Sequence, residues 1–267
     1  MITAGDTETN IRVEDLTAAY DRHPVLDDVD VSVSAGEMVG IIGPNGSGKS
    51  TLLKVISRIL APEHGTVYLD GKSLPELPTG QIARKMATLP QAPPTPPKLT
   101  VRELVGYGRY PQVSWLKRFA AQDRDIIEWT ISKCSLEDLS DRKLVTLSGG
   151  ERQKAWIAMA MAQQPRVMLL DEPVTFLDIS HQLEVMDLVS ELNRSEGITV
   201  IVVLHDLNLA ARYCPRLIAI REGRIHSDGA ASEVIHPDVL REVFGIGAHV
   251  SEDPLTQRPV CYPYRLG

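Results

Sequence analysis

The sequence predicts an α/β protein: a nucleotide-loop core with a mostly parallel sheet, an antiparallel β region, and a helical sub-domain inserted at about residues 98–165. Three observations predict it. The short apolar strand Met38-Val39-Gly40-Ile41-Ile42 turns through a glycine-rich loop into a helix. Two further apolar runs, Val167 to Leu170 and Thr199 to Leu204, are unbroken, as strands of a parallel sheet covered on both faces are. Between Leu99 and Gln164 the apolar period turns helical.

Composition narrows the function classes. At 267 residues, 43% hydrophobic and 24% charged, the chain is long enough to bury a sizeable core in one domain with an inserted part. The net charge of −7 argues against a broad nucleic-acid surface, so DNA or RNA is not the expected partner. Met1 to Asn10 is polar and acidic, without the positive start and apolar core of a secretory signal. Even such apolar runs as Ile198 to Leu204, a strand's length, fall far short of the ~20 residues that span a bilayer. Cys134, Cys214 and Cys261 lack metal-ligand spacing and read as packing residues of a protein kept in a reducing compartment.

Taken in order, Ile11 to Leu16 and Val29 to Val33 alternate apolar with polar and read as half-buried antiparallel strands. Tyr20 lies between them at a strand end, either as a core or rim residue or as a flat ring for a base to stack on. Gly65 to Gly71 brackets a strand that returns to the β region, and Ala87 to Gln91 closes another. Ala92-Pro93-Pro94-Thr95-Pro96-Pro97 is a semi-rigid extended connector, and Gln91 at its mouth reads by itself as a solvated loop residue. Thr100 is a plausible N-cap for the helix opened by Val101, and Ile127, Ile131 and Cys134 line another helix. A helix follows Leu147-Ser148-Gly149-Gly150-Glu151-Arg152-Gln153, and one more runs through Val185, Met186, Val189 and Leu192. Arg216 to Ile220 reads as a strand, Glu222-Gly223 as a turn and Pro237 to Phe244 as a short helix. The tail, 254–267, reads as irregular.

The chemistry concentrates at four places. Gly43-Pro44-Asn45-Gly46-Ser47-Gly48-Lys49-Ser50-Thr51 fits the G-x-x-x-x-G-K-[ST] pattern between a strand and a helix. Such a loop aims backbone N–H groups and the helix dipole at one point, a phosphate site, with Lys49 for the β- and γ-phosphates and the Ser50 hydroxyl for a bridging Mg²⁺. Ser148 ahead of two glycines at a helix start is a second anion site; capping alone explains the serine but not the glycine pair. Asp171-Glu172 ends an apolar strand, where Asp171 can hold Mg²⁺ and Glu172 can take a proton from an attacking water. His205 follows the next apolar strand, either as a bonded structural residue or as a contact to the γ-phosphate.

With these elements in this order, the chain resembles the ATP-binding subunit of an ABC transporter over roughly residues 11–250, most specifically through Leu147 to Gln153, which is similar to that family's signature sequence. We therefore expect the ATP-binding domain to span residues 1–253. The resemblance implies a head-to-tail dimer in which two ATP molecules lie between one subunit's phosphate loop and the other's signature, so that Ser148, Gly149 and Gly150 complete the second copy's site. It also implies roles: adenine stacking for Tyr20, magnesium contact and relay to the membrane partner for Gln91, a dimer contact for Asp178, the γ-phosphate for His205, magnesium for Asp171 and general base for Glu172. All hydrolytic positions are filled, which implies an active ATPase needing ATP and Mg²⁺.

Gly106 to Pro111, Gln153 to Met159, Leu177 to Gln182 and His205 to Cys214 look like the importer ATPases for ferric siderophores, haem and cobalamin, the siderophore branch above all. Lys154 stands where many relatives carry Arg, and Val174-Thr175-Phe176 departs from the commoner threonine-led stretch. The implied setting is the cytoplasmic face of the membrane, on transmembrane permease subunits fed by an extracytoplasmic binding protein, with Tyr107 to Trp115 as docking groove. A haem or cobalamin importer ATPase is the alternative. A soluble ABC ATPase of repair or the ribosome is the rival outside transport, disfavoured because no long coiled-coil, zinc insertion or second cassette appears.

Overall fold

In the computed structural model, which describes residues 9–21, 23–112 and 121–266, the chain divides into two units: Met1–Leu77 with Thr199–Gly267, and Pro78–Ile198.

The first unit opens with β1 (Thr9–Tyr20), β2 (His23–Ser34) and β3 (Met38–Ile42), then α1 (Lys49–Ile56), β4 (His64–Leu69) and β5 (Lys72–Ser73). The second holds α2 (Thr79–Lys85), β6 (Met86–Leu89), α3 (Val101–Tyr107), α4 (Ala121–Lys133), α5 (Gly149–Ala162), β7 (Val167–Asp171) and α6 (Ile179–Glu196). The chain then returns to the first with β8 (Thr199–Val203), α7 (Leu207–Tyr213), β9 (Arg216–Arg221), β10 (Arg224–Ala230), α8 (Ala231–Val234), α9 (Pro237–Phe244), β11 (Ile246–Glu252) and β12 (Pro259–Arg265).

In the first unit an antiparallel sheet runs β2-β1-β4-β5, as the alternating strands predict. Val29, Val31 and Val33 are its buried row on β2. On β1 the buried row jumps from Val13 to Leu16, because Asp15 adopts φ 48° and the pairing register shifts there; the bulge keeps both apolar residues on the core face. Beside this sheet in sequence lies the parallel one. β3 pairs in parallel with β8 on one side and β9 on the other, and β10 adds antiparallel to β9 through the Glu222-Gly223 turn, both residues at positive φ. All five residues of β3 and all five of β8 are buried, which accounts for their unbroken apolar runs.

In the second unit β6 and β7 form a parallel pair. α3 starts at Thr100, whose hydroxyl and the Glu103 carboxylate form a reciprocal capping box. α3, α4 and α5 pack together in pairs, with Ile127, Ile131 and Leu104 in their core. A buried ion pair stitches them: Arg109 Nε donates to Asp123 Oδ1 at 3.0 Å, and its Nη1 donates to the Ala162 carbonyl at 2.7 Å. The three cysteines are buried and unbridged.

The tail corrects the sequence reading. Residues 259–265 are not irregular but form β12, paired residue for residue with β11 from Ile246↔Arg265 to Glu252↔Pro259. Two prolines in seven residues hide it in the sequence, yet an edge strand tolerates proline where no ladder N–H is needed. A side chain pins it: Asn208 of α7 donates to the Cys261 carbonyl at 3.1 Å and accepts from the Cys261 N–H at 2.7 Å.

Candidate functional site

The expected site residues fall into two sets, one in each unit.

In the first unit, β3 delivers the chain to Gly43 and α1 begins at Lys49. Two glycines shape the loop. Gly43 has φ 153° and a Cβ there would lie 2.2 Å from the Ile220 carbonyl oxygen; Gly48 caps the helix at φ 105°, with a Cβ 2.6 Å from Leu26. Only glycine fits either position. Gly223 N–H donates to Ser47 O at 3.1 Å and Ser47 N–H to Pro44 O at 3.2 Å, which fixes the cradle. Within it the buried Lys49 ammonium donates to Gly43 O and Pro44 O, both at 2.9 Å. Thr51 is buried and Ser50 half-buried in the first turn of α1. Pro44, Asn45, Gly46 and Ser47 also line a cavity of about 330 Å³ shared with Arg221 and Phe244.

Ser47 supplies the test of fit. Its hydroxyl oxygen is buried and has no hydrogen-bond partner among the described residues. Such an atom is costly unless something pairs with it. In a loop whose glycines clear side chains from the cradle, at a helix N-terminus, a polyphosphate oxygen is the group that fits.

The exposed Tyr20 ends β1 with its ring 5.6 Å from the Lys54 ammonium, and its hydroxyl accepts from that amine at 3.3 Å. Lys54 therefore ties the ring to the loop helix; the sequence reading missed it, although it lies on α1 only five residues after Lys49. His205 is exposed just past β8. The register Ile41↔Val203, carried two residues on, brings it to the strand edge where Gly43 stands. Its neighbour Asp206 caps α7 by accepting from Leu209 N–H at 2.8 Å.

In the second unit the register Leu89↔Leu170, carried two residues on, sets Gln91 beside Glu172. Gln91 Nε2 donates to Glu172 Oε2, and Thr175 Oγ donates to the same oxygen at 3.1 Å. Glu172 is buried and holds φ 52°, a left-handed backbone that turns its side chain sharply off the strand end. Asp171 before it is half-buried. Gln91 is thus a partner of the acid rather than a merely solvated loop residue. Thr175, in the stretch that departs from the commoner pattern, is a second residue missed in sequence.

Ser148 caps α5 in a full capping box: its hydroxyl accepts from Glu151 N–H at 3.2 Å, and Glu151 Oε2 accepts from Ser148 N–H at 2.7 Å. The Ser148 N–H holds the Glu151 carboxyl below its ordinary range. Capping thus explains the serine, as expected. The second glycine has a structural reason of its own, since a Cβ on Gly150 would lie 2.2 Å from His181 Cδ2. Asp178 caps α6 by accepting from His181 N–H at 2.9 Å, the contact that chiefly lowers its carboxyl pKa. Phe176, two residues earlier, is 93% exposed at φ 66°. Of the expected docking stretch, Tyr107 and Tyr110 are exposed with ring centroids 5.4 Å apart, and Val113 to Trp115 lie outside the described residues.

The oxygen donors expected at a cation, the Ser50 hydroxyl, the Asp171 carboxylate and the Gln91 carbonyl, are the hard ligands Mg²⁺ takes. The Gln91 amide nitrogen is engaged by Glu172.

The family described as ABC transporter matches residues 26–175. Over 257 residues the chain is 44% identical to the probable siderophore transport system ATP-binding protein YusV of Bacillus subtilis (strain 168), covering 96% of this chain and 94% of that protein. It is likewise 44% identical over 257 residues to the iron(3+)-hydroxamate import ATP-binding protein FhuC of the same organism, with 96% of each chain covered. A solved bacterial ABC transporter cassette, described as dimeric, matches with a TM-score of 0.72 at 30% identity, over 83% of this chain and 98% of that one. Likeness along nearly the whole chain, joined to the glycine-built phosphate loop and the buried acid past β7, establishes that the chain belongs to the ABC transporter family.

Proposed function

We propose that this chain is the ATP-hydrolysing subunit of an importer for a ferric siderophore, working as a head-to-tail pair with a second copy of itself. The observation that carries the cargo is the 44% identity, over almost the full length of each, to two proteins named for siderophore and iron(3+)-hydroxamate transport. The observation that carries hydrolysis is Glu172, buried past the strand end with Gln91 and Thr175 both donating to its Oε2.

Gly43 to Thr51 cradles the phosphates, with backbone N–H groups, the Ser47 hydroxyl and the Lys49 ammonium as donors. Tyr20 offers its exposed face to the adenine ring. By the family resemblance the Ser50 hydroxyl, the Asp171 carboxylate and the Gln91 carbonyl would each be an oxygen donor for Mg²⁺, which when bound neutralises charge on the phosphate oxygens. Gln91 and Thr175 hold Oε2 of Glu172 and so orient the carboxylate that accepts the proton of the attacking water. His205 meets the γ-phosphate. Ser148, Gly149 and Gly150 serve the nucleotide held by the second copy, and Asp178 contacts that copy.

No helix among the described residues is long and apolar enough to cross a membrane. The chain in this reading sits on permease subunits at the cytoplasmic face of the membrane, docked through the region of Tyr107 and Tyr110, and an extracytoplasmic binding protein supplies the chelate. Uptake of labelled ferric siderophore by cells carrying wild type or Glu172→Gln tests the reading, with labelled cobalamin and haem run alongside. Loss of ferric-siderophore uptake alone is expected. Unchanged uptake of all three would refute the transport role, and loss of cobalamin or haem uptake alone would refute the cargo.

A further inference from the structure

His181, in the first turn of α6, touches both segments that the proposed dimer turns toward the second copy. Its ring lies on Gly150, where an added Cβ would sit 2.2 Å from Cδ2 and 2.6 Å from Cγ. Its Nδ1 is 2.8 Å from Asp178 Oδ1, the oxygen that also accepts its backbone N–H. Leu177 completes the roof, with its Cδ2 3.0 Å from a Cβ on Gly149. Two adjacent glycines at a helix start are conformationally loose by themselves. The ring fills the space that a side chain at position 150 would claim, and Gly150 is buried beneath it while Ser148 and Gly149 stay exposed.

We propose that His181 is a positioning residue that locks the Ser148–Gly150 turn to Asp178, so that the signature turn and the dimer-contact carboxylate are presented to the second copy as one rigid piece. This rests on the head-to-tail reading above. Gly150 is then a glycine because the histidine of its own chain needs the room. Nothing in this role requires His181 to touch nucleotide.

The test uses the full chain in a Glu172→Gln background, so that bound ATP is retained. ATP-dependent dimerisation is followed by analytical ultracentrifugation, and ATP affinity of the dilute single chain by equilibrium dialysis. His181→Ala is expected to weaken dimerisation about tenfold or more, the scale of losing a hydrogen bond to a charged group, with single-chain ATP affinity unchanged. His181→Asn, whose amide can replace the Nδ1 donor, restores most of it. Gly150→Ala also weakens dimerisation, and removing the ring in Gly150→Ala/His181→Ala makes the double loss smaller than the product of the single ones. Parent-like dimerisation by His181→Ala overturns the inference, as do strictly multiplicative losses in the double variant. A His181→Ala chain that loses ATP affinity in step with dimerisation shows a merely structural histidine and overturns it too. A Glu172→Gln parent that stays monomeric with saturating MgATP refutes the dimer reading itself, which separates the two failures.

Discussion

Gln91 donates its amide N–H to the carboxylate oxygen of Glu172 that Thr175 also holds. The residue at the mouth of the proline connector and the proposed general base are therefore joined directly, and a displacement of the connector would be felt at the acid. Gln91→Ala is expected to lower kcat for ATP hydrolysis about tenfold, the scale of one lost hydrogen bond to a charged group, while affinity for magnesium-free ATP stays nearly unchanged and any loss in MgATP affinity reports the missing carbonyl. Steady-state hydrolysis beside equilibrium binding checks this; a wild-type kcat would mean the bond does not orient the base.

Ser47 separates stability from binding. Its buried hydroxyl has no partner among the described residues, so Ser47→Ala removes a group that the unliganded fold does not satisfy. The melting temperature of the ligand-free variant is expected to hold or rise slightly, while ATP affinity falls roughly tenfold through loss of a bond to a charged phosphate. A destabilised ligand-free variant would contradict the assignment.

The Arg109–Asp123 pair makes the opposite demand. Arg109→Ala removes the guanidinium from a buried ion pair and its bond to the Ala162 carbonyl, and is expected to cost about 3–5 kcal/mol of stability, measured by chemical denaturation. Replacing both partners by apolar residues of similar size should recover most of the loss.

Burial pushes the Cys134 and Cys214 thiols up to about 12. An unfolded thiol ionises near 8.5, so above that pH the unfolded chain releases protons that the folded chain keeps. Stability from these groups is thus intact below about pH 8.5 and is lost as the pH rises toward 12. Denaturation midpoints at pH 7 and pH 10 should converge in a Cys134→Ala/Cys214→Ala chain relative to wild type.

The parallel core was legible because its strands are buried on both faces and so carry no polar interruption. Likewise Thr100 and Ser148 announce their helices by the acid three residues on, and both capping boxes form. Where the sequence misled, the deciding partner lay far along the chain. β12 reads as irregular because Pro259 and Pro263 break its pattern, while its Asn208 clip sits 53 residues earlier. His181 looks like an ordinary first-turn residue until Gly150 is found beneath it. Thr175 is the local exception: it stands out only as part of a departure from a familiar stretch, and although Glu172 is three residues back, the left-handed backbone at Glu172 that brings them together leaves no mark in the residue types.

β3 is hydrogen-bonded on both sides to strands made much later, β8 from Thr199 and β9 from Arg216. At translation rates of roughly 5–20 residues per second, its five apolar residues wait on the order of ten to thirty seconds for either neighbour. The first unit cannot close while the ribosome is still making Pro78–Ile198, so the nascent chain carries the strand that will bear its phosphate loop as an unpaired, aggregation-prone ribbon. Ribosome-bound chains arrested before Thr199 should accordingly be cut by protease within Met38–Ile42, and chains released past Arg221 should not. Protection already present in the shorter chains would show that another segment shelters the strand during synthesis.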